Sequence, residues 1–351
     1  MPDNPHWITR KYTLEFLTPA FLGGADQSGQ WRTPPFKALL RQWWRVVYAH
    51  EHGFPVNPLK MREAEGKLFG NAWLTDSQGN TAASRSLVRL RLERWDAGEM
   101  KNWPGEAQTV GHPEVKQPIG PHLYLGYGPL TYDREKRGTA LKAPPAIQAG
   151  EKAELLLAFP EPHQSEIEAA LALMNLYGAV GGRSRNGWGS FRLDPAGSVQ
   201  PPLRLWREAL QLDWPHCIGQ DDSEPLIWQT KGTYQDWREL MRVLAEIKIA
   251  LRTKFKFAGE AHQTPEERHW LAYPVTNHSV RSWGNQARLP NSLRFKVRCL
   301  DNNASKLVGI IFHMPCKPPV AFSPNQKTLE GVWQRVHQFL DGRADLKRVR
   351  R

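Results

Sequence analysis

Between Phe36 and Tyr48, seven apolar side chains recur at the three- and four-residue steps that keep them on one face of an α-helix: Phe36, Leu39, Leu40, Trp43, Trp44, Val47 and Tyr48. Thr33 followed by Pro34 and Pro35 predicts the start, with a capping hydroxyl and then prolines where a missing N–H does no harm. The run before it, residues 11–22, alternates and is β-rich (Tyr12, Leu14, Phe16) until Thr18-Pro19 ends it. Gly23-Gly24-Ala25-Asp26 reads as a flexible loop between the two.

The same grammar continues. Residues 86–93 read as a strand, and residues 96–150 as a Gly- and Pro-rich insertion or surface hairpin. Residues 151–159 are a strand, and Ser165-x-x-Glu168 predicts a capping box. It opens a helix through Ile167, Ala170, Leu171, Met174 and Tyr177, stopped by Gly178, with another strand near 190–193. The Pro-rich stretch 195–225 marks a boundary. Beyond it come a short strand (226–228), a helix capped by Thr233-x-x-Asp236, two β-like runs (293–300 and 307–314) and a last helix from Leu329 to Leu340, ended by Gly342. Strand–helix–strands–helix in each half predicts an α+β chain of two tandem ferredoxin-like (RRM-like, βαββαβ) domains, the first with a long insertion. The expected division is 1–200, a linker at 201–225, and 226–351.

Charge narrows the partners. Lys plus Arg number 47 against 35 Asp plus Glu, a net +12, which favours an acidic partner such as nucleic acid. Fifteen Trp add stacking or docking surface to core. No apolar run approaches the length a membrane span needs. Cys217, Cys299 and Cys316 are scattered without a C-x-x-C, against a disulfide framework or a structural zinc. The opening Met1-Pro2-Asp3-Asn4-Pro5-His6 lacks a basic-then-apolar signal pattern, so a cytoplasmic protein is expected.

Three basic segments carry the candidate chemistry. Gly181-Gly182-Arg183-Ser184-Arg185-Asn186-Gly187-Trp188-Gly189 holds four glycines in nine residues, fit for an anion nest. Arg183 and Arg185 would fork onto phosphate, and Trp188 offers a ring on which a base could stack. Lys37, Arg41 and Arg45, at four-residue spacing, would meet a row of phosphates, with Arg32 just before the helix start. Residues 278–298 place Arg281, Arg288, Arg294, Lys296 and Arg298 among His278 and Trp283 in a β context suited to RNA. The tail from Arg343 to Arg351 is also basic. Trp43 and Trp44 fit the apolar stripe and are expected in the core. No P-loop, H-E-x-x-H, G-x-S-x-G, G-G-D-D or zinc spacing is present, so no catalytic residue, metal or cofactor is expected. Asp26 reads first as a turn aspartate bonding its own backbone. His50, His52 and His278 read as ordinary histidines.

Thr18-Pro19-Ala20-Phe21-Leu22-Gly23-Gly24-Ala25-Asp26, then Arg32-Thr33-Pro34-Pro35-Phe36-Lys37 through Arg45, then Leu68-Phe69-Gly70, resemble the amino-terminal signature of CRISPR RAMP proteins. Within these the resemblance is to the first-subunit family of type III-B Cmr effector complexes, in the Cas7 group. Gly178-Ala179-Val180-Gly181 through Phe191 resembles the glycine-rich loop of the same proteins. The resemblance covers residues 14–70 and 170–192. It implies two ferredoxin-like domains and a place at one end of a ribonucleoprotein for antiviral defence. The subunit would touch the 3′-side of the guide RNA (crRNA), the 5′-side of the paired target RNA and other Cmr subunits, and cutting would belong to those other subunits. The nuclease members of the superfamily carry a further aspartate before the first helix; here Gln27 to Thr33 holds none, which agrees with binding. The residues expected on RNA are Arg32, Lys37, Arg41, Arg45, Gly181, Gly182, Arg183, Ser184, Arg185, Trp188, Arg281, Arg294 and Lys296. Two rivals stand beside this: a metal-independent endoribonuclease that processes precursor guide RNA with His278 as base, and a scaffold whose tryptophans dock a neighbour.

Overall fold

The alternating run at the amino end forms β1 (Trp7–Phe16), followed by α1 (Thr33–Glu51), α2 (Pro58–Phe69), β2 (Arg89–Leu92), β3 (Lys152–Pro160), α3 (Gln164–Tyr177) and β4 (Phe191–Asp194). The four strands make one antiparallel sheet in the order β4-β1-β3-β2, with Leu14 opposite Ala153 and Phe16 opposite Phe191. This computed structural model describes residues 6–24, 26–75, 79, 81–106, 108–135, 137–284, 286–300 and 303–350. Met1–Pro5, Ala25 and Arg351, used in the sequence reading, lie outside the described residues.

Backbone contacts divide the chain into two units. Unit 1 is Met1–Asn102, Ala143–Ser184 and Trp188–Pro202; unit 2 is Trp103–Lys142, Arg185–Gly187 and Leu203–Arg351. In unit 1, Phe16, Phe36 and Phe191 meet edge-on or tilted with Trp31, whose centroid is 5.1 Å from Phe16. Trp31 has no exposed surface; its indole N–H donates to the buried Glu151 carboxylate at 2.9 Å. Trp43 and Trp44 are buried as expected, Trp43 against Tyr177 of α3 and Trp44 donating to Glu166 at 2.6 Å. An apolar stripe on α1 thus finds its cover in α3 and the sheet.

Unit 2 contains β5 (Ile227–Thr230), α4 (Trp237–Lys254), β6 (Leu293–Leu300), β7 (Asn303–His313), α5 (Gln326–Asp341) and β8 (Leu346–Arg348). Its sheet is antiparallel in the order β6-β7-β5-β8. Two stretches differ from the sequence reading. Residues 103–142, expected inside the first domain, cluster with unit 2 as two hairpins around the helix Pro121–Gly126, where His122 bonds the Arg238 carbonyl at 2.9 Å. Residues 201–225, expected as a linker, pair Leu203–Leu205 with Ile218–Gln220 in parallel around the short helix Trp206–Ala209.

Three caps also differ. Thr33 is the first helical residue, Arg32 holds the cap position, and the Thr33 hydroxyl is buried with no hydrogen bond. Ser165 lies inside α3. Asp236, not Thr233, caps α4 by accepting from the Arg238 N–H. Capping needs extended backbone at one defined position, which a nearby hydroxyl does not guarantee. Within the basic tail, Arg348 sits in β8, paired with Asp221 and Asp341. Among the described residues no helix is long and apolar enough to cross a membrane.

Unit 2 buries histidines in neutral form. His313 lies between the Ser292 hydroxyl (3.0 Å) and His337 (2.9 Å), stacked on Trp333. Burial pushes His337 down to about 3, His216 down to about 4, and His313 well below the usual 6.5. Each folded value lies below the unfolded one, so between these limits the unfolded chain holds more protons. The stabilisation is complete above pH 6.5 and is lost as pH falls. Urea unfolding is expected to show stability lower by several kcal/mol, about 3 to 5, near pH 4.5 than at pH 7.5. A midpoint indifferent to pH over that range would refute neutral burial.

Candidate nucleic-acid interface

The glycine-rich segment leaves α3 at Gly178 and crosses the chain that follows β1. Val180 N–H donates to the Gly189 carbonyl at 3.0 Å, Gly189 N–H to Pro19 at 2.8 Å, and Gly182 N–H to Phe21 at 2.9 Å. The approach leaves no room for side chains: a Cβ on Gly189 (φ +65°) would lie 1.9 Å from the Val180 oxygen, and one on Gly181 (φ +89°) 2.6 Å from the Phe21 oxygen. The expected anion nest is therefore corrected. The amides of Gly182 and Gly189 are spent on the protein's own carbonyls, and Ser184 N–H reaches the Gly181 oxygen at 3.4 Å. Arg183 is exposed and holds a left-handed backbone, φ +59°.

Trp188 is also corrected. It has no exposed surface and packs on Phe21 with centroids 5.5 Å apart, so no ring face remains for a base. Lys296 is likewise fully buried in β6, and burial, with Arg298 near it, holds its amine well below the usual value. It does not extend a surface groove.

Two members of the set, distant in sequence, come together in unit 2. Phe295 N–H donates to the Arg185 carbonyl at 3.0 Å, and Asn186 bridges to Phe295 in parallel. Asn186 is held on both sides, accepting from Lys248 at 2.6 Å and donating to the Leu125 carbonyl at 2.7 Å. This pairing sets the half-buried Arg185 guanidinium near that of Arg294 on β6. Burial, and then the repulsion of Arg185, push Arg294 down to about 9. The Arg294 Nε is buried without a hydrogen-bond partner, and neither arginine has a carboxylate partner among the described residues. The Cys316 thiol lies beside both; burial raises its pKa against the pull of the two cations.

A sequence profile of the family described as the RAMP superfamily matches residues 13–192, more than half of the chain. The chain belongs to the RAMP superfamily. None of the curated proteins compared with it matches. Among solved structures it is similar to the apo crystal structure of Cmr1 from Pyrococcus furiosus, at 15% identity over 97% of this chain and 98% of that one, with a TM-score of 0.47.

In this RAMP protein the helical basic stripe is held by internal partners. Arg41 Nε donates to Glu65 at 2.8 Å, and Arg45 grips the same carboxylate through Nε and Nη2 at 2.9 and 2.8 Å. Glu65 on α2 is buried. Lys37 donates to the Ser86 hydroxyl, and burial lowers its pKa. Arg32 donates to the Gly23 carbonyl at 2.8 Å, holding the loop. The expected phosphate row is thus largely a clamp between α1 and α2. Asp26 accepts from the Ser28 N–H and hydroxyl, as a turn aspartate does. Arg281 is exposed, its N–H on the His262 carbonyl.

Sequence reasoning missed Glu65, because a Glu is buried only when paired and its partners Arg41 and Arg45 stand on another helix. It also missed Trp95, 56% exposed. Glu65→Ala leaves two half-buried guanidinium groups without their acid, so a destabilisation of about 2 kcal/mol is expected by urea unfolding. Should Arg41→Ala cost RNA affinity and no stability, the clamp assignment fails.

Proposed function

We propose that this RAMP protein is a non-catalytic RNA-binding subunit of a type III-B Cmr ribonucleoprotein, working in the cytoplasm beside other Cmr subunits. It would contact the 3′-side of the guide RNA and the 5′-side of the paired target. The observation that carries the reading is the Arg185–Arg294 pair. Two like charges, partly desolvated and without an acid between them, repel each other until an anion arrives. A phosphate satisfies both, since each guanidinium presents parallel N–H donors that fit its oxygens. Exposed Arg183 and Arg281 would add contacts to the backbone, and Gly181, Gly182 and Ser184 would shape the loop that carries them. Arg32 and Lys37 would contribute at longer range.

The resemblance at residues 14–70 and 170–192 supports the Cmr assignment beside the family membership. We read each four-stranded sheet with the helices of its half as a ferredoxin-like domain, the first within 1–200 apart from 103–142 and the second within 226–351, with the paired segment 201–225 between them in sequence. What supports this is the strand order: counted along the chain, the strands stand 4-1-3-2 in both sheets.

Arg185→Ala combined with Arg294→Ala is expected to weaken RNA binding and to flatten the slope of log K against log salt by about 0.7 to 0.9, the worth of the one phosphate the pair shares. Stability should hold or rise, because the repulsion is gone. Filter binding across a salt series with a guide–target duplex measures the first, and thermal unfolding the second. RNA affinity equal to that of the unaltered chain would end the assignment.

A further inference from the structure

Unit 2 also holds a row of side chains whose hydrogen-bond polarity can be read from obligate donors. The Ala258 backbone N–H donates to Oε2 of Glu266 at 3.1 Å. The Glu266 N–H donates to Nδ1 of His269 at 2.9 Å, so His269 carries its proton on Nε2 and gives it to the His278 carbonyl at 3.1 Å. Oε1 of Glu266 accepts from Nδ1 of His262 at 2.7 Å. In the row's uncharged form, with that proton committed, His262 Nε2 is an acceptor and Nδ1 of His278, 3.0 Å away, is the donor. The Nε2 of neutral His278 is left as a lone-pair acceptor. It bonds no described residue, and His278 lines a pocket of about 480 Å³ together with Thr253, Lys256, Glu260 and Glu114, the last paired with Arg268.

The row is built to be rigid. His262 and His269 are buried, and strand pairing sets Ala261–His262 beside Ser279–Val280. The His278 ring is stacked on Phe257 at 3.9 Å and 20°, and Phe257 is backed by Arg268, itself paired with Glu114. A lone-pair nitrogen so held repels phosphate oxygens, which only accept, and receives N–H donors. All four nucleobases carry such donors on their pairing edges, and the pocket volume suits a small ligand.

We propose that this pocket receives one unpaired nucleotide of the bound RNA, a base N–H donating to Nε2 of His278 and Lys256 meeting the attached phosphate. The proposal rests on the RNA-binding reading above.

The test is ring-nitrogen NMR of the full chain labelled with ¹⁵N-histidine, titrated with adenosine, cytidine, guanosine and uridine monophosphate, and with inorganic phosphate. The expected result is an unprotonated His278 Nε2 in the free protein that shifts with at least one nucleotide and not with phosphate. A protonated Nε2 in the free protein, or no shift with any of the four, overturns the proposal. Glu266→Gln supplies a second readout. Its carbonyl must stay on the Ala258 N–H, which turns its NH₂ toward His262 and reverses the row, so that His278 Nε2 becomes a donor. Nucleotide affinity should fall about tenfold, while RNA retention through Arg185 and Arg294 persists. If that variant does not fold, Lys256→Ala on the exposed rim should abolish the difference in affinity between nucleotide and nucleoside; a difference that survives overturns the phosphate contact. RNA retained with no nucleotide shift overturns this inference alone. Nucleotide shifts without RNA retention overturn its RNA part together with the functional reading. Scission of RNA that depends on His278 would make the nitrogen a catalytic base and overturn a binding role.

Discussion

Backbone meets backbone where residues 180–189 cross residues 19–21, and this crossing governs what the glycine-rich segment can do. Main-chain bonds from Gly182 and Gly189 to Phe21 and Pro19 require separations that a side chain at Gly181 or Gly189 would close off. The glycines serve the protein's own strand ends before any ligand. The same closeness turns Trp188 inward onto Phe21. What remains for a partner are the side chains between the two anchor points, Arg183 to Asn186, and of these Asn186 is already held by Lys248 and the Leu125 carbonyl. A loop rich in donors on paper is reduced by folding to a few guanidinium groups.

A net charge of +12 sums cations that do very different work. Arg41 and Arg45 share Glu65, Arg348 lies between Asp221 and Asp341, and Arg268 pairs with Glu114. These are satisfied by fixed acids and have little to gain from a phosphate. Arg185 and Arg294 differ in kind, because the fold brings them together and supplies no acid partner among the described residues. A buried charge left unpaired costs stability. Sites that hold such an arrangement recover the cost only when an anion binds, which makes the pair a better pointer to the ligand than the total charge.

What could be read in the sequence follows the range of the forces involved. The face of α1 and the burial of Trp43 and Trp44 were legible, since helical periodicity is local. The ends of α3 and α5 at Gly178 and Gly342 were legible for the same reason. Thr33, Ser165 and Thr233 misled because a hydroxyl near an apolar run does not fix the residue at which helical backbone angles begin; the cap positions fall at Arg32, His163 and Asp236. Residues 103–142 form hairpins too short to show a period, and their attachment to unit 2 depends on distant contacts such as His122 with Arg238. Lys37, Arg41 and Arg45 were seen on one face, but the acid that Arg41 and Arg45 share comes from another helix, and Lys37 meets the Ser86 hydroxyl. Arg185 and Arg294 were each singled out; their meeting through Phe295 was not visible in either segment alone.

The arginine pair and the histidine row use one device for opposite ends. In each, a backbone N–H with no choice of role pins the group beside it: Phe295 N–H on the Arg185 carbonyl, Ala258 N–H on Glu266. Fixing the backbone of Arg185 limits where its donors reach, yet the polarity of a guanidinium never changes, so the arginine pair would take any phosphate and would be blind to the base attached. Imidazole has no polarity of its own until a neighbour assigns it. The Glu266–His262 contact assigns it, and the assignment passes through a single ring to His278. Charge alone holds a strand at any register. A fixed acceptor beside a pocket discriminates among groups, so a protein that must seat RNA at a defined position gains from having both.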